Sequence, residues 1–98
     1  MTGTPNQIDL GQRIKASVAL EFNRVANALQ NVALRQSGQK LLDNVTAIQI
    51  LEELRTTVMA RQEAGYFIRE WQDLSGQIRE MIARDPRHKA MRTARGVI

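Results

Sequence analysis

No cysteine occurs in the 98 residues, which excludes a disulfide framework, a thiolate metal site and a cysteine nucleophile. Histidine occurs once, as His88, between Arg87 and Lys89. That is the setting of an exposed tail residue rather than of a general base or a metal ligand. No Gly-x-Gly-x-x-Gly or Walker-type loop is present, and Gly38, Gly65 and Gly76 stand as isolated punctuation. Glu70 and Asp73 share a helix face, but there is no Glu-x-x-His metal spacing and Arg69 lies four residues before Asp73, as a surface ion pair requires. Glu52 with Arg55 and Glu80 with Arg84 fit the same solvated pattern. The chain is therefore expected to be no enzyme, with no cofactor, no metal and no small-molecule substrate.

Long apolar runs are missing too. Nowhere do 18 apolar residues follow one another, and no basic segment leads into an apolar one after Met1. The expectation is neither a membrane span nor a signal peptide, and a location in the cytoplasm or within a macromolecular assembly.

What is present is helical periodicity. Ile14, Val18, Phe22, Val25, Leu29 and Val32 recur at spacings of four and three, and at 100° per residue they fall within roughly 80° of arc. The spacing predicts a first helix over about 6–36, started by Thr4-Pro5 or by Asn6 and stopped at Ser37-Gly38. A second segment carries Leu41, Val45, Ile48, Leu51, Leu54 and Val58, and a third carries Phe67, Trp71, Leu74, Ile78 and Met81. On one unbroken helix these two stripes would point more than 90° apart. A break near Ala64-Gly65 is predicted, giving helices over about 41–63 and 66–84, with a single long helix as the alternative. Trp71 falls in the third seam as a core anchor, and Tyr66 sits at the expected break.

Charge is unevenly spread. Residues 1–83 hold nine Lys/Arg and nine Asp/Glu, whereas residues 84–98 hold Arg84, Arg87, Lys89, Arg92 and Arg95 against Asp85 alone, so the whole net charge of +4 resides in the tail. Asp85-Pro86 is a helix-start signature. On a helix, Arg84, His88, Arg92 and Arg95 form a cationic row while Met91, Ala94 and Ile98 line another face.

The expected architecture is thus all-α, a helical hairpin or three-helix bundle with a long first helix (body 1–84) and a short basic amphipathic helix or tail (85–98). A narrow seam on a helix roughly 45 Å long exceeds what two shorter partners cover, so Ile14, Val18, Phe22, Val25, Leu29 and Val32 are expected to mediate self-association. For the tail three readings stand: a short helix folded back on the bundle, a phosphate-contacting arm, or a segment docking on an acidic protein. Its candidate contacts are Arg84, Arg87, His88, Lys89, Met91, Arg92, Arg95 and Ile98. Together these predict a non-enzymatic interaction protein, either a homo-oligomer or a small subunit of a larger assembly such as a virion. The alternative is a nucleic-acid-binding helical dimer gripping phosphates with its basic tails.

Overall fold

The computed structural model describes residues 1–94 and folds them into five helices, α1 Pro5–Ala33, α2 Gly38–Met59, α3 Ala64–Glu70, α4 Leu74–Arg84 and α5 Pro86–Ala94. Among the described residues the only β feature is an isolated parallel bridge between Thr2 and Glu63. No helix there is long and apolar enough to cross a membrane.

The first of the two start signals opens α1. The Thr4 hydroxyl accepts from Gln7 N–H at 3.2 Å, the Gln7 side chain accepts from Thr4 N–H at 2.9 Å, and Pro5 takes the first helical position. After Leu34 the chain turns, and Gly38 enters α2 at φ +61°, a conformation that other residues adopt only with strain. α2 then returns antiparallel along α1: Asn44 bonds to Leu29, Arg55 to Asn23, and the Lys15 ammonium to the Arg61 carbonyl. That last contact sets a cation on the carbonyl end of α2, where the helix dipole favours it.

Val18, Phe22 and Ala26 from α1 form the core with Leu51 and Val58 from α2, Phe67 from α3, Trp71 and Ile78. Phe22 and Trp71 meet as a tilted pair with ring centroids 5.8 Å apart, a favoured arrangement of ring quadrupoles. Ile14, Val25 and Leu29 pack against the same cluster. Most of the seam expected to mediate self-association is thus occupied within the chain. Of its six residues only Val32 stays half in solvent; the other five are covered by this chain's own α2, α3, Trp71 and α4. The short α3 and α4, placed one after the other along α1, supply cover that two longer partners were not expected to give.

The expected third helix is corrected. The first break falls at Ala60–Glu63, just before Ala64-Gly65, and a second one divides 66–84 at Trp71–Asp73. The cause is local competition by Asp73, whose carboxylate accepts from Gly76 N–H at 3.1 Å and caps α4 instead of pairing with Arg69. Trp71 ends α3 and turns inward. A single helix across 41–84 is excluded with it.

Gly11 permits the close packing of α3 on α1. A Cβ there would stand 2.8 Å from Ala64 Cβ and 2.9 Å from its Cα. Thr2 adds a clasp, donating to Gln62 O at 2.7 Å and accepting from Ala64 N–H at 2.9 Å.

Candidate docking end of the bundle

The basic tail is a helix held against α2. Asp85 caps it by accepting from Arg87 N–H at 2.8 Å, and the Arg87 guanidinium bonds Asp85 at 2.9 and 3.0 Å and Glu53 of α2 at 2.8 and 3.0 Å. Such a fork of charge-assisted bonds fixes direction as well as distance. Hydrogen bonding to Arg87 holds the Glu53 and Asp85 carboxyls below their ordinary range, and the two carboxylates push the guanidinium further above its own. Arg84 is likewise occupied, by Glu80.

The expected contact residues of the tail therefore divide. Arg84 and Arg87 serve intramolecular ion pairs. His88 and Met91 are half-buried on the side facing α1 and α2, whereas Lys89 and Arg92 are exposed and make no ion pair among the described residues. Arg95 and Ile98 lie outside the described residues.

A groove of about 250 Å³ runs where α5 meets the tip of the α1–α2 hairpin. Leu29, Val32, Ala47 and Met91 form its apolar wall, and Lys40 and Arg92 stand on its rim. It adjoins a wider hollow of about 540 Å³ that shares Gln36, Lys40 and Asp43 with it. Two polar residues on the floor are more than nine-tenths buried. Asp43 accepts from Gln39 Nε2 at 2.8 Å, and Asn44 donates through Nδ2 to Leu29 O at 2.9 Å and Gln36 Oε1 at 3.0 Å. Because both Asn44 amide hydrogens are engaged, its orientation is set, and Oδ1 is left buried with no partner among the described residues. His88 Nδ1 is in the same condition. Each such group costs about 1–3 kcal/mol until something satisfies it.

Outside the groove the same end exposes large apolar side chains. Leu34 in the turn is 86% exposed and Leu42 on α2 is 60% exposed, with Val32 and Val45 also open. The reason lies in α2, whose apolar stripe drifts. Leu51 and Val58 face the core, but Leu41, Val45 and Ile48 sit about a quarter-turn off that direction and Leu42 sits beyond them.

The exposed charge at this end has one sign. Residues 22–42 contain no Asp or Glu, and neither does α5. Arg35, Lys40, Lys89 and Arg92 make no ion pair among the described residues. α2 adds its own positive end, since Ser37 provides no side-chain cap and its first turn holds no acid. Besides the buried Asp43, the acids of α2 are Glu52 and Glu53, which lie roughly 18 Å along the axis from Lys40 and are already paired with Arg55 and Arg87.

A shallow hollow lies between Arg13, Ser17, Gln72 and Leu74, and beneath it the buried Trp71 Nε1–H has no acceptor among the described residues. Among the described residues no group of three or more His, Cys, Asp or Glu is placed to hold a metal. The sequence pattern missed Arg35, Lys40, Leu34, Leu42 and the Asp43–Asn44 pair as surface or groove residues. The signal that exposes them is the acid-free run from 22 to 42, which the strongly basic tail overshadows. Compared with known proteins, the chain matches no family model, no curated protein and no solved structure.

Proposed function

We propose that the protein is a non-enzymatic helical interaction module, a small subunit that docks into a larger protein assembly through the hairpin-tip end of its bundle. One observation carries this reading: the large apolar side chains Leu34, Leu42 and Val45 are left in solvent at the same end where four cations lack ion partners among the described residues. An apolar patch rimmed by charge is the usual form of a protein contact site.

Nucleic-acid binding through the tail is the weaker reading, because Arg84 and Arg87 are spent on Glu80, Glu53 and Asp85. Self-association through the α1 seam is weaker still, because that seam is the core of the monomer.

Photo-crosslinking in the producing cells tests the docking reading by position. A crosslinking residue at position 42 should give a discrete protein adduct, and the same residue at position 20, where Leu20 is equally open to solvent on another face, should give none. Adducts at neither position, or the same adducts at both, would contradict it.

A further inference from the structure

Resting on that reading, we infer the chemistry of the partner: an acidic amphipathic α-helix that lays its apolar side into the groove between α2 and α5 and sets its carboxylates against Arg35, Lys40, Lys89 and Arg92.

Charge complementarity argues first for an acidic occupant. These four cations have no ion partner among the described residues, and the uncapped N-terminus of α2 adds to the positive field. The one acid on the groove floor, Asp43, is buried and already accepts from Gln39. An approaching carboxylate therefore meets cations at the rim before any buried negative charge. Opposed potentials of this kind steer association and reject wrong partners.

The same charges argue against a second copy. A two-fold contact would bring the patch against itself, setting Arg35, Lys40, Lys89 and Arg92 beside identical cations. The apolar wall of the groove argues against nucleic acid. Phosphate contacts need cations alone, and covering Leu29, Val32, Ala47 and Met91 requires an apolar surface on the partner.

A helix is the form that fits. The described residues hold no strand, so no sheet edge is available to pair with an extended peptide. The apolar side chains Leu29, Val32, Ala47 and Met91 instead wall a trough where α1, α2 and α5 meet, the kind of surface an amphipathic helix fills. Asn44 Oδ1, fixed in place by the two bonds its amide nitrogen donates, is the acceptor for one hydroxyl or indole donor on the arriving helix.

A labelled synthetic helix of about 20 residues, with leucines on one face and glutamates flanking them, is the probe, added to the full chain at about 150 mM salt. It should bind, and Val32→Asp and Arg92→Glu, both on the groove, should each weaken binding by about tenfold or more. Both positions are exposed, so both variants keep the fold. Leu20→Asp and Arg79→Glu, exposed on other faces, should leave binding unchanged. Three further probes carry the opposing outcomes. A scrambled peptide of the same composition that binds equally well would reduce the effect to charge and overturn the helix. A DNA duplex bound more tightly than the peptide, weakened by Arg92→Glu but not by Val32→Asp, would replace the protein partner with nucleic acid. A dimer in light scattering that Val32→Asp dissociates would replace it with a second copy. Absence of peptide binding beside a specific crosslink at position 42 would sink the acidic helix alone, whereas absence of both would sink the docking reading itself.

Discussion

Phe22→Ala separates a core residue from an interface residue most sharply. Phe22 is fully buried within one chain and its ring lies 5.8 Å from that of Trp71. Truncation removes the ring from a site walled by α1, α2 and Trp71, where the surrounding helices can collapse only partly, and such changes cost about 3–5 kcal/mol. A domain of this size is stable by about 5–15 kcal/mol, so the variant should fold, but marginally. With a urea m-value of about 2 kcal/mol/M, a loss of 4 kcal/mol lowers the unfolding midpoint by about 2 M. Trp71 is the only tryptophan and its neighbour is the altered ring, so its fluorescence reports the transition directly. The mass in solution should match the parent's. A variant as stable as the parent but with a smaller assembly mass would refute the argument, since it would place Phe22 between chains.

The close approach of α3 to α1 predicts that Gly11→Ala destabilises by about 1–3 kcal/mol, read by thermal or urea unfolding, although alanine is the better helix former. Asp73→Ala removes the α4 cap and should cost about 0.5–2 kcal/mol, with backbone amide exchange rising first around Gly76. Arg87→Ala should free α5 from α2, seen as faster amide exchange in residues 86–94 and unchanged exchange at Leu51 and Val58. Acid should have a similar effect. Glu53 and Asp85 titrate lower in the fold than in the unfolded chain, so their contribution is full above the unfolded-state range near pH 4 and is lost as pH falls through their depressed folded values. An α5 whose amide protection does not decline as the pH falls below the unfolded carboxylate range near pH 4 would contradict that ion-pair account.

Periodicity alone placed α1, the α1–α2 turn, the Asp85-Pro86 helix start and Trp71 in the core, because each rests on local chemistry: a capping box, a left-handed glycine, an N-cap with proline, an apolar stripe. It missed the break at Trp71–Asp73. Phe67, Trp71, Leu74, Ile78 and Met81 keep helical spacing across that break, and only the Asp73 side-chain cap reveals it. It also took Ile14 to Val32 as a surface between chains, since no sequence pattern states which segment covers which seam. The docking end was legible only in part. His88, Met91 and Arg92 were marked, but Arg35, Lys40, Leu34 and Leu42 come from a different stretch of chain and join them only when α5 folds back along α2.

The most direct test is a residue-by-residue shift map of isotopically labelled full-length protein titrated with the acidic amphipathic peptide. Signals of Val32, Lys40, Ala47, Met91 and Arg92 should move together and saturate together, while those of Leu10, Leu20 and Phe22 stay in place. Shifts confined to Arg84 and Arg87, or centred on the Ile14–Leu29 seam, would contradict the assignment of docking to the hairpin-tip end.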